Sequence, residues 1–148
     1  MKNQITILAT AFILISTVTF AQDINPSQVP SVVANTFKKE FPKASDIEWE
    51  QDGDNFKVEF EIGWFTDHEI WYDAAGQFIK HVEEIAKGDL PKAVTSKIDI
   101  DFAELKIDGV KKITEGDQVT YAVELENFTE EWKVIFSNTG EVLHKIND

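Results

Sequence analysis

The sequence predicts an α+β fold in which one helix-plus-sheet unit occurs twice. Between residues 29 and 41 apolar residues recur at helical spacing, and the segments that follow alternate apolar and polar residues with a period of two. The same succession starts again at residue 90, behind a second apolar residue followed by proline. We therefore predict a tandem repeat of one helix packed on a four-stranded antiparallel β-meander.

An N-terminal export signal precedes the repeats. Lys2 supplies a positive start, an uncharged apolar segment follows, and Thr-Phe-Ala at residues 19–21 fits a small-x-small cleavage site. We expect residues 1–21 to be a signal peptide and residues 22–28 to form a lead into the first repeat. Because the apolar segment reaches the lower length limit for a bilayer span, an uncleaved anchor is the alternative interpretation. After cleavage, no membrane insertion is expected.

The first repeat is predicted over residues 29–85. Pro30 suits the first turn of its helix and Pro42 ends it, because proline lacks the amide hydrogen that helix interiors need. Turns at residues 52–55 and 75–76 separate segments of period two, which favour strands with one buried face. The apolar residues expected on the buried side are Val29, Val32, Val33, Phe37, Phe41, Ile47, Trp49, Phe56, Val58, Phe60, Ile70 and Tyr72.

The second repeat is predicted over residues 90–148, after a joint at residues 86–89. Leu90, Val94 and Ile98 recur every fourth residue and predict its helix. A unit of about 60 residues buries only roughly 60% of its unfolded surface, so the two repeats are expected to form one compact structure. The core residues expected in the strands of this repeat are Val119, Tyr121, Val123, Leu125, Val134 and Phe136.

The composition narrows the class of protein. The chain of 148 residues has a formal net charge of −13, and an anionic surface disfavours nucleic acid and anionic lipid as partners. It contains no cysteine, which excludes disulfides, thiolate metal sites, thiol nucleophiles and a lipid-modified cysteine. An export signal together with these exclusions favours a bacterial periplasmic or secreted protein that is stabilised by its apolar core.

The sequence lacks motifs for catalysis and cofactor binding. Residues 68–72, HEIWY, begin like the H-E-x-x-H zinc-protease motif, but Tyr72 replaces the second histidine and the segment has the periodicity of a strand. His81 and His144 lie in the last predicted strand of each repeat, where solvated strand residues are the simpler interpretation. No G-x-S-x-G motif or phosphate-binding glycine loop is present. We expect a protein that is not an enzyme and has no cofactor and no dedicated metal site.

One loop carries unexpected aromatic side chains. Trp64 and Phe65 lie between the second and third predicted strands, where polar residues are usual. Two interpretations are open: the rings fold inward and cap the core, or they are anchors at a protein interface. We predict a binding surface that combines this loop with the open face of the sheet. Its residues are Trp64, Phe65, Trp71, Glu59, Glu61, Glu69, Ile79 and His81.

The repeated segments resemble a known family of periplasmic proteins. The residues that carry the resemblance are the helix starts Val29-Pro30 and Leu90-Pro91, FPKASDIEWE at 41–50, FKVEF at 56–60, and WYDAAGQFIKHV at 71–82 with VIFSNTGEVLHKI at 134–146. They are similar to the β-lactamase-inhibitor-like, PepSY-like proteins over nearly the whole chain after the signal. Such proteins resemble the β-lactamase inhibitory protein in layout, so the resemblance implies that layout and a secreted binding or inhibitory role. It implies no particular partner and no particular binding residue.

The leading functional hypothesis is an exported, non-enzymatic protein-binding module that inhibits or regulates a periplasmic or extracellular enzyme. The aromatic loop would insert into a cleft of the partner, and Glu59, Glu61 and Glu69 would steer a basic partner. The alternative is an envelope protein that binds a small ligand or a divalent cation through its acidic face. A hydrolase that uses two of the 27 acidic residues is a third hypothesis.

Overall fold

The computed structural model describes residues 22–63 and 66–147. The predicted signal peptide and the two aromatic residues Trp64 and Phe65 lie outside the described residues, so what was predicted for them stays a prediction. In the part of the chain that is described, neither α-helix combines the length and the apolarity needed to cross a membrane.

The described residues form two ten-residue helices and nine strands. Helix α1 spans Ser31–Glu40 and helix α2 spans Lys92–Asp101, and the proline before each helix occupies the N-cap position. A short 3-10 turn leads into each helix, at Pro26–Gln28 and at Lys87–Asp89. The strands are β1 (Gln22–Asp23), β2 (Ala44–Asp52), β3 (Asn55–Ile62), β4 (Asp67–Tyr72), β5 (Phe78–Glu84), β6 (Lys106–Glu115), β7 (Gln118–Glu126), β8 (Glu131–Ser137) and β9 (Val142–Asn147).

These strands form one antiparallel sheet in chain order, from β1 to β9. Strands β2 to β5 follow α1, and strands β6 to β9 follow α2. The ladder between β5 and β6, from Lys80↔Glu115 to Glu84↔Lys111, joins the two halves of the sheet. The α+β class is therefore confirmed.

Both helices pack on the same face of the sheet. Residues that are paired across an antiparallel ladder have side chains on one face. Successive pairs connect Phe60, in the core under α1, with Tyr121, in the core under α2. We call this side the covered face and the opposite side the uncovered face, since no element of the described chain packs on it.

Each helix covers its own apolar core. The first core consists of Val29, Val33, Phe37, Trp49, Phe56, Val58, Phe60, Ile70 and Tyr72. The second core consists of Leu90, Val94, Ile98, Val110, Tyr121, Val123, Leu125, Val134 and Phe136. Most of the core residues predicted from the alternation are therefore buried, while Phe41 and Val119 are partly buried at the margins of these cores.

Two predicted core residues are wrong, and one core residue was missed. Ile47 is 43% exposed, because the register between β2 and β3 shifts after Ser45 and the alternation is interrupted there. Val32 is 45% exposed and lies beside the turn at Gly76 rather than in the core. Val110 is buried but was not predicted. A second register shift, between Ile107 and Gly109, interrupts the alternation of β6 just before it.

Candidate functional site

The uncovered face of the first repeat is centred on Trp71. The ladders pair Lys57 with Trp71 and Trp71 with Lys80, so the three side chains lie side by side on three strands. The ammonium nitrogens are 5.6 Å (Lys57) and 4.1 Å (Lys80) from the centroid of the Trp71 ring. The indole Nε1 donates a 2.9 Å hydrogen bond to the Asp52 carboxylate. Two cation–π contacts and one charged hydrogen bond therefore fix the orientation of this half-buried ring.

Lys57 is the electrostatic centre of the same surface. Its ammonium contacts Glu59, lies 3.2 Å from Glu50 and lies 3.6 Å from Glu69. Burial alone would lower the pKa of Lys57, but its hydrogen bonds to Glu59 and Glu50 outweigh burial and raise the pKa above its ordinary value. The lysine therefore stays charged and neutralises part of the acidic cluster around it.

Replacing Lys57 with methionine is expected to lower the free energy of unfolding by about 1.5–3 kcal/mol. The side chain of Lys57 is 14% exposed, and its loss would leave Glu50, at 17% exposure, without this partner. The matched control is Lys97→Met, whose exposed pair with Asp101 one helical turn away contributes about 0.3–0.5 kcal/mol. Urea unfolding measures both, and equal losses would contradict a structural role for Lys57.

The uncovered face of the second repeat is apolar where the first is charged. By alignment of the two repeats, Ala122 takes the place of Lys57 and Ile135 takes the place of Trp71. Val82 and Ile113, paired across the β5–β6 ladder, continue this surface between the repeats. We call these four residues the apolar strip. A groove of about 220 Å³ lies against its far end, beside Gly109.

The predicted binding residues divide between the two faces. The uncovered face carries Trp71, Glu59 and Glu69. Glu61 lies two residues from Glu59 on β3 and is paired with Asp67 of β4. Ile79 lies in a β-bulge. Phe78 pairs with Tyr72 and Lys80 pairs with Trp71, so Ile79 is an extra residue of β5 without a partner in β4. What these residues bind stays a prediction.

His81 lies on the covered face, which corrects its predicted position. Its ladder partner is Ile70, a residue of the first core, and its ring lies 6.0 Å from the ring of Phe41 at the end of α1. The bulge at Ile79 sets this phase, because one extra residue moves the following side chains to the opposite face. The covered face is also where His68 lies, stacked on Phe60 with 5.1 Å between the ring centroids.

These two histidines belong to a polar cluster between the two apolar cores. His68 Nδ1 and His81 Nε2 are 3.0 Å apart, and Glu83 accepts a 2.9 Å hydrogen bond from the Lys112 ammonium of the second repeat. Within the described chain, one group of three side chains with metal-ligating atoms comes together, and its members are His68, His81 and Glu83, with all three ligand atoms within 4.8 Å of one another. We call this group the seam cluster. His144 is not part of it: it is exposed in β9 and paired with Ile135.

The electrostatic surroundings fix the protonation states in the seam cluster. Burial lowers the pKa of His68 and of His81, and this effect outweighs the attraction of nearby Glu83. For Glu83, burial alone would raise the pKa, but the hydrogen bond from Lys112 lowers it below the ordinary value. At neutral pH the cluster therefore contains two neutral imidazoles and one carboxylate.

The sequence matches the model of one known protein family. The family model described as "Putative beta-lactamase-inhibitor-like, PepSY-like" matches twice, at residues 17–80 and 54–144. The two matches together extend over more than half of the chain. The chain belongs to this family. The resemblance seen in its repeated segments is thereby confirmed, and two overlapping matches agree with a tandem repeat.

Solved structures of similar fold come from Bacteroides species. A BLIP-like protein of Bacteroides fragilis is 23% identical, with a TM-score of 0.67 over 84% of this PepSY-like chain and 87% of that chain. A protein of Bacteroides eggerthii, described as one of the "putative periplasmic proteins", is 21% identical, with a TM-score of 0.71 over 80% and 88%. A DUF2874 family protein of Bacteroides uniformis is 22% identical, with a TM-score of 0.69 over 80% and 88%. At these identities the similarity shows the fold alone. A search among curated proteins found no match.

Proposed function

We propose that this PepSY-like protein is an exported, non-enzymatic protein-binding module that inhibits or regulates a periplasmic or extracellular enzyme. The observation that carries the proposal is the uncovered face, where a fixed Trp71 and the apolar strip adjoin a rim of charged side chains. Protein interfaces combine an apolar and aromatic centre with a polar rim in the same way. The family description and the BLIP-like relative support an inhibitor-like role, and neither names a partner for this chain.

Preorganisation is the physical reason to expect useful affinity from this face. A ring that is already held by Lys57, Lys80 and Asp52 loses little rotamer freedom on binding, which removes part of the entropy cost of association. In this proposal Trp64 and Phe65, which follow β3 in the sequence, also contact the partner. Glu59 and Glu69 both contact the Lys57 ammonium, which neutralises part of their charge. The attraction of a basic partner would therefore come mainly from the net charge of −13.

We propose that residues 29–85 and 90–148, each a helix and a four-stranded meander, work as one rigid platform. The continuous β5–β6 ladder supports this, because it carries the uncovered face across both repeats. The predicted signal at residues 1–21 and the relative described as periplasmic support a periplasmic or secreted location.

Replacement of Trp71 with alanine is expected to weaken partner binding by about 30-fold, equivalent to about 2 kcal/mol for a hot-spot residue. The partner is first captured from the envelope fraction of the native host, then purified and titrated against the protein by calorimetry. The matched control is Ile100→Ala, which removes a 76% exposed apolar side chain from α2 and is expected to leave the affinity unchanged. Equal affinities for the parent and the Trp71 variant would refute binding through the uncovered face.

A further inference from the structure

We propose that the seam cluster, His68, His81 and Glu83, is a binding site for one divalent transition-metal ion, for which Zn²⁺ is the best match. The site lies on the covered face, so it is independent of the protein-binding role proposed for the uncovered face. It also lies between the two cores, where strands of both repeats meet.

The distances in the seam cluster suit a metal ion. One ligand atom from each of the three side chains lies within 4.8 Å of the other two, and the two imidazole nitrogens are 3.0 Å apart. Two nitrogens bound to tetrahedral zinc at 2.0–2.1 Å are separated by about 3.3 Å. A small rotation of the two rings is therefore enough to admit the ion. The half-buried positions of His81 and Glu83 leave it a route from solvent.

The second repeat shows that the fold itself does not require these side chains. By alignment of the two repeats, Trp132 replaces His68, Lys145 replaces His81 and Asn147 replaces Glu83. There the lysine ammonium lies 5.4 Å from the tryptophan ring centroid, a contact that involves no metal ligand. A hydrogen bond between two neutral imidazoles also explains the 3.0 Å distance, and Glu83 pairs with Lys112. The metal site is therefore inferred from the position of all three ligand atoms within 4.8 Å of one another.

The carboxylate of the seam cluster favours the binding of a cation, and the nearby Lys112 ammonium disfavours it. Two neutral imidazoles and one carboxylate form a ligand set of charge −1. The proton that one of the two facing nitrogens carries in the 3.0 Å contact moves to the other nitrogen of the same ring when the ion binds. The Lys112 ammonium opposes a cation, since it donates to Oε1 of Glu83. The other carboxylate oxygen is then the one available to the ion. Removal of the lysine charge should therefore strengthen metal binding.

The donor types select the class of ion. Imidazole nitrogen suits Zn²⁺, Ni²⁺ and Cu²⁺, whereas Ca²⁺ and Mg²⁺ prefer shells of oxygen atoms. Two histidines with one carboxylate leave at least one position of a tetrahedral shell for water. This differs from a calcium site on the acidic surface, which the alternative functional hypothesis would use.

The test is a calorimetric titration of purified, untagged and chelator-treated protein with ZnCl₂ at pH 7.5, with MgCl₂ as the comparison. We expect one Zn²⁺ per chain and no saturable binding of Mg²⁺. His81→Gln and Glu83→Gln should each weaken Zn²⁺ binding by at least about tenfold, because even the loss of a residue that only hydrogen-bonds to a metal ligand costs about that much. His144→Gln, which changes the one histidine outside the cluster, should bind Zn²⁺ like the parent, and Lys112→Met should bind it more tightly.

Folding of the variants is checked separately, because His68 is 7% exposed and its replacement is the change most damaging to the core. His81 and Glu83 are half-buried, so their glutamine variants are expected to keep the far-UV circular dichroism of the parent. Zn²⁺ should also raise the melting temperature of the parent more than that of His81→Gln, since the variant binds the ion more weakly in its native state. Absence of stoichiometric Zn²⁺ binding, or an equal loss in His144→Gln and His81→Gln, would overturn the proposal.

Discussion

Replacing Gly140 with alanine is expected to lower the free energy of unfolding by about 2–5 kcal/mol. Gly140 has a φ of +84°, a conformation that costs residues with a Cβ about 1–2 kcal/mol. An added Cβ would also lie 2.4 Å from the carbonyl oxygen of Ala93 in α2. Because backbone is in the way, the helix or the turn must move, and overpacking of this kind costs about 1–3 kcal/mol.

Gly116→Ala is the matched control for the cost of placing a residue with a Cβ at a positive φ. Its φ is +56°, and an added Cβ would meet nothing within 4 Å, so only the conformational cost of about 1–2 kcal/mol applies. Urea unfolding of the parent and both variants separates the two contributions. If Gly140→Ala costs no more than Gly116→Ala, the close contact between the β8–β9 turn and α2 does not exist in solution.

The same contact recurs in the first repeat in a looser form. An added Cβ at Gly76 would lie 3.1 Å from Thr36 Oγ1 and 3.3 Å from the carbonyl oxygen of Val32, both in α1. In each repeat, therefore, the turn before the last strand packs against the helix of that repeat. This position keeps the helix on the covered face and leaves the other face open for the proposed partner.

Local periodicity predicted most of the fold. The alternation around Val58 and Val123 identified the buried side of β3 and β7, because consecutive residues of a strand point to opposite faces whatever the rest of the chain does. The prolines before α1 and α2 marked the helix starts within two residues for a similar local reason. Burial and capping are properties of neighbouring residues, so one sequence is enough to predict them.

The candidate sites depend on pairing between strands, which local patterns do not show. Trp71 meets Asp52 and Lys57 only because β2, β3 and β4 pair in one particular register. His81 was assigned to the wrong face because the bulge at Ile79 is not visible in the alternation. The seam cluster was missed for the same reason, since His68 and His81 become neighbours only after that bulge is taken into account.

Replacing Phe136 with alanine is expected to lower the free energy of unfolding by about 3–5 kcal/mol, the usual cost of removing a buried phenylalanine ring. Phe136 is 0% exposed and packs edge-on against Phe102, with 6.4 Å between the ring centroids. The control Phe128→Ala makes the same chemical change at a fully exposed position and should alter stability by less than about 0.5 kcal/mol. Urea unfolding by far-UV circular dichroism measures both, and a small loss for Phe136→Ala would contradict the described core.

The same variant tests whether the two repeats unfold together. Three of the four tryptophans, Trp49, Trp64 and Trp71, belong to the first repeat, whereas Phe136 belongs to the second. Because the β5–β6 ladder and the 2.9 Å Glu83–Lys112 ion pair connect the repeats, loss of the second core should destabilise the first. Fluorescence and circular dichroism should then shift to one common lower midpoint. If the fluorescence midpoint stays in place while circular dichroism resolves two transitions, the repeats unfold independently, and the rigid platform proposed for partner binding is wrong.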